Sequence, residues 1–419
     1  MRTERIQQEY LEIFRSLLRF DTTNPPGYEK DIAQYIHRKL TDAGIESHIV
    51  GKTPNRANVL ARISGSDPSA KPLMLISHID VVEADDWSVP AFSAYEKDGI
   101  LYGRGTIDTK QLTAGQLMAM LLMARSGRRP HRDVILIAAA DEENGSNYGM
   151  AYLTENYPEW FPEAYVWSEG GGFIVHNGEK QYRLCAGSEK STLCVRICIA
   201  PGTEGAGLEG QTLYYVARVL EKLTSYTPST TLTSATERFC KILPPEEIRD
   251  PTIRNLWEYS TKCSMQLNEF HLCAETIGCG KPVELFVSFK LLPTTPRREI
   301  EDLFAALLCG EPATWEVSDF QEGYESSFDN EFIDVLDSVS KRLDPETQLL
   351  PMMILGSTDG RFIGGNVYGY TPLLRDMPFS TVLQLVHGKD EHITLDSAVY
   401  NGRVICEAAA EFAYNKTGG

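Results

Sequence analysis

The sequence predicts an α/β fold, in which helices flank a mixed, mainly parallel sheet and a second, α+β domain interrupts the chain. Three observations support this fold class. Strand-like and helix-like segments alternate along the first part of the chain, short apolar runs have the length of buried strands, and the pattern changes near Cys185. A chain of 419 residues is long enough for two or three domains.

Two helices are expected at the start of the chain. Apolar residues from Ile6 to Leu18 recur at three- and four-residue spacing, which places them on one helix face. Turn residues at 21–27 end this helix, and a second helix is expected over about Glu29–Ala43, with Gly44 as its C-cap. The segments expected next are the strands Ser47–Gly51, Asn58–Ser64, Leu73–Ser77, Asp133–Ala139 and Ala164–Ser168, and the helices Leu112–Arg125 and Tyr148–Asn156.

After Cys185 the pattern indicates a βαββαβ arrangement, which is typical of an inserted domain. The strands expected there are Ser191–Ala200, Glu284–Leu292 and Thr314–Val317, and the helices are Thr212–Leu223 and Pro296–Leu308. The chain then returns to helix, strand and helix at Asn330–Leu343, Leu350–Leu355 and Ser397–Tyr414. We therefore predict one α/β domain formed by residues 1–186 and 320–419, with a second domain formed by residues 187–319.

The composition excludes several classes of function. The chain holds 40 Lys and Arg against 58 Asp and Glu, a formal net charge of −18, and has no basic run. Binding to nucleic acid or to an anionic membrane surface rests on basic residues, so neither is expected. The longest apolar run, Val134–Ala140, is too short to span a bilayer. Nine cysteines without a CxxC pair favour free thiols and a cytoplasmic protein.

Candidate metal-ligating side chains follow the buried strands, where ligands bind in open α/β sheets. Each residue alone has an ordinary structural explanation, such as a helix N-cap or a solvated turn. Together they would form an acidic pocket that repels itself without a cation. Two histidines and three carboxylates suit two divalent metal ions that share one carboxylate. Seven residues are candidates for the whole site, in which Asp80 has the spacing to orient the imidazole of His78: His78, Asp80, Asp108, Glu142, Glu143, Glu169 and His387.

Five sequence blocks in this order resemble the motifs of one family. They are Ser77–Val82, the segment from Trp87 to Lys110, Asp141–Ser146, Thr358–Phe362 and His387–Glu391. The sequence is similar to the co-catalytic di-zinc hydrolases that include acetylornithine deacetylase, succinyl-diaminopimelate desuccinylase, aminoacylase and glutamate carboxypeptidase. The resemblance implies a zinc-exopeptidase-like catalytic domain, with a ferredoxin-like inserted domain that serves as a lid or forms a homodimer.

The resemblance also implies an enzyme, a metal-dependent amidohydrolase or metallopeptidase of the aminoacylase or carboxypeptidase type. Its substrate would be an N-acyl amino acid or short peptide with a free carboxylate. The implied ligands of two divalent ions, zinc or alternatively cobalt or manganese, are His78, Asp108, Glu143, Glu169 and His387, with Asp108 bridging. A water or hydroxide between the ions would be the nucleophile, Glu142 the general base and Asp80 the residue that orients His78. Arg361 would bind the substrate carboxylate, or instead form a salt bridge to Asp359 or a neighbouring acid.

Two segments depart from the family pattern. Ala200–Glu209 has no histidine where the family usually carries one that stabilises the oxyanion, and Gly278–Val283 lacks the family's asparagine. Lys290 stands where the family has an arginine. His271 could supply the missing imidazole, or it could serve ordinary packing. These departures leave a second hypothesis open, namely a metal-binding family member with altered or lost hydrolysis, either a binding protein or a remodelled biosynthetic amidohydrolase.

Overall fold

A computed structural model of the chain describes residues 2–200, 212–272 and 282–415. The helices are α1 Arg2–Leu18, α2 Lys30–Asp42, α3 Lys110–Arg125, α4 Met150–Asn156, α5 Thr212–Thr224, α6 Ser234–Ile242, α7 Pro251–Thr261, α8 Arg297–Leu307, α9 Glu331–Leu343, α10 Phe379–Leu385 and α11 Leu395–Tyr414. None of the helices in the described ranges combines the length and the apolar composition that crossing a bilayer requires.

The strands form one large sheet and two smaller ones. They are β1 Glu46–Thr53, β2 Arg56–Ile63, β3 Leu73–His78, β4 Tyr95–Lys97, β5 Ile100–Tyr102, β6 Val134–Ala139, β7 Tyr165–Ser168, β8 Ile174–Asn177, β9 Lys180–Glu189, β10 Ser191–Ile199, β11 Ser264–Leu272, β12 Val283–Leu291, β13 Ala313–Gln321, β14 Tyr324–Glu325, β15 Thr347–Met353, β16 Val367–Gly369 and β17 His392–Thr394. The smallest sheet is the three-stranded β17-β5-β4.

The large sheet has ten strands, in the order β1-β2-β6-β3-β7-β16-β9-β14, with β15 and β8 also paired to β9. Its centre, β6-β3-β7-β16, is parallel. Strands β1 and β2 are antiparallel at one edge, and β9 runs antiparallel to β16, β14 and β8. This mixed sheet with a parallel centre confirms the predicted fold class.

Helices cover both faces of the large sheet. Every residue of β3 and β6 is buried, as expected for apolar strands that are covered on both sides. Helices α1, α3 and α11 pack on one face, and α4 packs on the other. Gly115 permits the close approach of α3 and α11, because a Cβ atom there would lie 2.5 Å from Cδ1 of Ile405. This double layer fixes the strand ends where the candidate site residues lie.

A separate four-stranded antiparallel sheet has the order β11-β12-β10-β13. Its strands and the helices α5 and α8 follow one another as βαββαβ, with alternate residues of β10 and β12 buried beneath the helices. The chain enters this sheet from β9 through Lys190 and leaves it from β13 into β14. The predicted domain boundaries, after residues 186 and 319, fall inside β9 and β13 and stay a prediction.

Helices α6 and α7 leave the four-stranded sheet and pack against the large one. Phe239 and Leu256 join a cluster with Leu350 and Met352 of β15. Asp250 caps α7 by accepting hydrogen bonds from the backbone N–H groups of residues 252 and 253. The segment between β10 and β11 therefore contributes to both sheets, which was not predicted from the sequence.

Candidate metal centre

The candidate site lies at the carboxyl ends of the central parallel strands. Strand β3 ends at His78, a short turn after β6 carries Glu142–Glu143, and Glu169 follows β7 directly. Because β6, β3 and β7 are neighbours and parallel, these ends meet at one edge of the sheet. Two loops complete the site, with Asp108 just before α3 and His387 just after α10.

Five of these side chains form two groups that share Asp108. In the first group, Nε2 of His78 lies 3.0 Å from Oδ1 of Asp108 and 3.3 Å from Oε2 of Glu169. In the second group, Nε2 of His387 lies 3.1 Å from Oδ2 of Asp108 and 3.0 Å from Oε2 of Glu143. Within each group the candidate ligand atoms all lie within 4.8 Å of one another. Each group thus offers one imidazole, one glutamate and one oxygen of the shared aspartate.

Bound cations would stabilise the charged forms of the clustered carboxyl groups in this site. Burial raises the pKa of Glu143 to about 7 and the pKa of Glu142 well above its usual value, and the charges of Asp108 and Glu169 add to these shifts. Hydrogen bonds to Asp108 and Glu143 raise the pKa of His387 to about 10. Oε1 of Glu143 is buried without a hydrogen-bond partner among the described residues. Imidazole nitrogens and carboxylate oxygens are suitable zinc ligands, so this donor set fits two divalent ions.

Asp80 connects the first imidazole to the turn that carries the two glutamates. Nδ1 of His78 donates to the backbone carbonyl of Asp80 at 3.0 Å and lies 3.5 Å from its carboxylate. The same carboxylate accepts the backbone N–H groups of Glu142 and Glu143 at 3.1 and 3.2 Å. Asp80 therefore positions His78 and the Glu142–Glu143 turn together.

A buried polar network lies behind Asp80. The amide of Asn24 donates to Asp80 at 2.8 Å and to Asp141 at 2.9 Å. Arg56 bridges Asp141 at 2.6 Å and Glu29 at 2.8 Å, and burial raises the pKa of Glu29 to about 7. The sequence did not predict these supporting contacts. Asn24 stands in a turn sequence, and nothing in the sequence links Arg56 to Glu29.

Glu391 fixes the loop that presents Asp108. Its buried carboxylate accepts backbone N–H groups from Gly105, Ile107 and Asp108 at 3.2, 2.6 and 3.1 Å. It also pairs with the buried guanidinium of Arg104 at 2.8 Å. Glu391 belongs to the last of the five motif blocks, but the sequence predicted no role for it. The structure places it behind the shared carboxylate of Asp108.

A cavity of about 530 Å³ opens onto the two groups. Its lining includes Glu142, Glu143, Asp108, Glu169 and His387. Six of the lining side chains are apolar, and together they are called the apolar wall: Phe173, Ile354, Leu355, Phe379, Leu383 and Val386. Two of these side chains are unusually open for their type, Leu383 at 49% exposure and Leu355 at 39%. The cavity therefore combines an acidic set of candidate metal ligands with accessible apolar side chains.

Arg361 also lines this cavity and lies in a short turn, Asp359–Phe362. It forms no ion pair with Asp359 or with any other carboxylate in the described part of the chain. The carboxylate of Asp359 instead accepts a hydrogen bond from the hydroxyl of Ser146. The alternative of a salt bridge between Arg361 and Asp359 is thus absent from the structure, and the guanidinium is available to a ligand.

The remaining candidates lie elsewhere. His271 is on the exposed side of β11, with Nε2 2.6 Å from Oε2 of Glu269, and does not line the cavity. Lys290 donates to the hydroxyl of Thr192 at 2.8 Å. The segments at 201–209 and 278–281, where the family's histidine and asparagine would be expected, lie outside the described residues.

Comparisons with known proteins agree with this architecture. The chain is 25% identical over 410 residues to the N-fatty-acyl-amino acid synthase/hydrolase PM20D1 of Bos taurus, covering 88% of this chain and 79% of the relative. Its fold is similar to an M20 family metallo-carboxypeptidase from Sulfolobus solfataricus, with a TM-score of 0.67, 17% identity and coverage of 96% and 98%. It is also similar to a dinuclear metal binding peptidase of Bacillus subtilis, with a TM-score of 0.63, 12% identity and coverage of 98% and 99%. The model of peptidase family M20/M25/M40 matches residues 74–411. The chain therefore belongs to the M20/M25/M40 peptidase family and is a metallohydrolase.

Proposed function

We propose that the protein is a two-metal amidohydrolase that cleaves N-acyl amino acids carrying an apolar acyl group and a free carboxylate. One observation carries this proposal: a single cavity combines the paired ligand groups, an available guanidinium and an apolar wall. The name of the bovine relative, an N-fatty-acyl-amino acid synthase/hydrolase, supports the same class of substrate.

His78 and Glu169 would hold one ion, His387 and Glu143 the other, and Asp108 both. When bound, the two ions supply positive charge that polarises the scissile carbonyl and makes a nearby water molecule more acidic. Asp80 keeps Nδ1 of His78 protonated, because that nitrogen donates to its backbone carbonyl, and so presents Nε2 to the site.

Glu142 would be the general base. It lines the cavity beside the two groups, and no described residue donates a hydrogen bond to its carboxylate. Its Oε atoms can take a proton from the attacking water and deliver it to the nitrogen of the departing amino acid. Burial raises its pKa, and a carboxylate with a raised pKa is a stronger base once it is ionised. Asp80 holds the turn that carries it through the 3.1 Å bond to its backbone N–H.

Arg361 and the apolar wall would set the orientation of the substrate. A guanidinium binds a carboxylate through two parallel hydrogen bonds, which fixes the amino acid half. The wall around Leu355 and Leu383 would take the acyl half, because burying apolar surface on both partners favours the complex. The cavity volume falls in the range typical of small-molecule sites.

The test is hydrolysis of a panel of N-acetyl and N-dodecanoyl amino acids and dipeptides by the zinc-loaded protein. We expect turnover of dodecanoyl amino acids, its loss on chelation and its return on addition of zinc. Glu142→Ala should lower kcat at least a hundredfold, the usual contribution of a positioned base. Glu163→Ala, at an exposed position outside the cavity, is the matched control. No turnover of any panel member by the zinc-loaded protein, or full activity of Glu142→Ala, would refute the proposal.

A further inference from the structure

We propose that Glu189 is a positioning residue for substrate selection, which holds the turn carrying Arg361 so that its guanidinium meets the substrate carboxylate. This inference rests on the proposed function, in which Arg361 binds that carboxylate. Glu189 lies at the end of β9, where the chain leaves the large sheet, and does not line the cavity. It therefore acts on the substrate through other residues.

Two hydrogen bonds join Glu189 to the turn. Its Oε2 atom accepts the backbone N–H of Thr358 at 3.0 Å and the hydroxyl of Thr358 at 2.9 Å. Glu189 is 1% exposed, so water does not compete for these bonds. The position of Thr358 is thereby fixed relative to the large sheet.

Thr358 in turn fixes the start of the Asp359–Phe362 turn. Its side-chain oxygen accepts the backbone N–H of Gly360 at 3.3 Å, as an N-cap does. Gly360 has no room for a side chain, because a Cβ atom there would lie 2.7 Å from Cγ1 of Val367. Arg361 is the next residue, so a shift of Thr358 would move the guanidinium directly.

Burying the carboxyl group of Glu189 costs free energy, and packing alone does not explain its presence. It forms no ion pair with the described residues, and burial raises its pKa to about 7, against the lowering effect of the Arg361 and Lys290 charges. An apolar side chain would fill the same space without this desolvation. The carboxylate is therefore better explained by the two bonds that it accepts from Thr358.

The competing explanation is structural. Glu189 pairs with Tyr324 where β9 meets β14, so the residue could serve only the crossing between the two sheets. A purely structural role would affect all substrates equally. A positioning role would affect only substrates that carry the carboxylate which Arg361 binds, and would depend on Arg361.

The experiment compares N-dodecanoylglycine with its terminal carboxamide, by dodecanoate release from the zinc-loaded enzyme. Discrimination is the ratio of kcat/KM for the acid to kcat/KM for the carboxamide. Glu189→Ala and Thr358→Val should each lower it about tenfold, mainly through KM, as expected when a buried hydrogen bond is lost. Glu189→Gln keeps the acceptor oxygen and should restore discrimination. Thr347→Val, which removes another buried hydroxyl beside a carboxylate, should not change it.

Adding Glu189→Ala to Arg361→Ala should lower discrimination no further. The inference would be overturned if Glu189→Ala lowered kcat/KM equally for both substrates. It would also be overturned if Glu189→Ala lowered discrimination as much in the Arg361→Ala background as in wild type. Either result would leave the proposed amidohydrolase activity standing. Equilibrium binding of the two compounds to zinc-loaded Glu142→Ala protein gives the corresponding ratio of dissociation constants. A slow enzyme therefore still gives a result. If the zinc-loaded protein neither binds nor turns over N-dodecanoylglycine, the proposed function is rejected, and this inference is rejected with it.

Discussion

Replacing Glu391 by Ala should destabilise the protein and weaken metal binding together. The substitution leaves the buried guanidinium of Arg104 without its carboxylate and removes the acceptor for three backbone N–H groups of the loop that ends at Asp108. Both effects act on the side chain that the two ligand groups share. Stability and metal affinity are therefore expected to fall in the same variant.

The contacts set the size of the loss. Removing one partner of a buried ion pair costs about 3–5 kcal/mol. Arg104 keeps a bond to the backbone carbonyl of Glu83 at 2.8 Å and lies 5.1 Å from the ring centroid of Trp87. We therefore expect the lower end of that range, about 3 kcal/mol of unfolding free energy. Glu391→Gln keeps an acceptor for the loop and should lose less.

Urea unfolding of the metal-free protein measures the stability, and competition with a chelating dye measures the zinc affinity. Glu407→Ala is the control, because Glu407 forms an exposed pair with Arg403 that contributes at most about 1 kcal/mol. A loss below about 1 kcal/mol for Glu391→Ala, equal to that of the control, would refute this account of the Asp108 loop.

Three further results are expected. Asn24→Leu should weaken zinc binding about tenfold to a hundredfold in the dye competition, because Asp80 and Asp141 lose the amide donor that they share. Leu383→Glu should slow dodecanoyl substrates at least about tenfold relative to acetyl substrates in kcat/KM, because a charge would face the acyl chain. Burial raises the pKa of Glu189 from 4.5 to about 7, so this group gives stability that is fully present below pH 4.5 and is lost as the pH rises through 7. Urea unfolding should show Glu189→Gln gaining up to about 3 kcal/mol on wild type between pH 5 and 8.

Each of these expectations has its own control and its own contrary result. Asn156→Leu, at an exposed helical position, should leave zinc affinity unchanged. Equal zinc affinities of the two asparagine variants would show that the hydrogen bonds of Asn24 do not support metal binding. Leu232→Glu, an exposed position outside the cavity, controls for the added charge, and an unchanged chain-length preference in Leu383→Glu would reject the apolar wall as the acyl site. Parallel pH profiles of wild type and Glu189→Gln would contradict the raised pKa.

The sequence was sufficient to predict the fold class and the residues that meet in the site. Apolar runs such as Leu73–Ser77 have the composition of strands buried on both faces, and His78 and Glu169 follow such runs directly. Parallel strand order then brings these residues to one edge. The metal roles of the five residues stay a prediction until an ion is measured.

The supporting contacts could not be predicted, because they join residues far apart in the chain. Glu391 meets Gly105, and Glu189 meets Thr358, through bonds that depend on the finished fold. The return of α6 and α7 to the large sheet was missed for a similar reason, since an amphipathic helix shows which face is buried but not what buries it. The segment that lacks the family's histidine includes residues 201–209, which lie outside the described residues.

The most direct test of the central claim is the zinc content of the protein after saturation and dialysis, measured by mass spectrometry for wild type, Glu143→Ala and Asp108→Ala. Two ions per chain are predicted for wild type, one for Glu143→Ala, and one or none for Asp108→Ala, because Asp108 belongs to both ligand groups. A single ion in saturated wild type, or two ions in Asp108→Ala, would contradict the two-metal site.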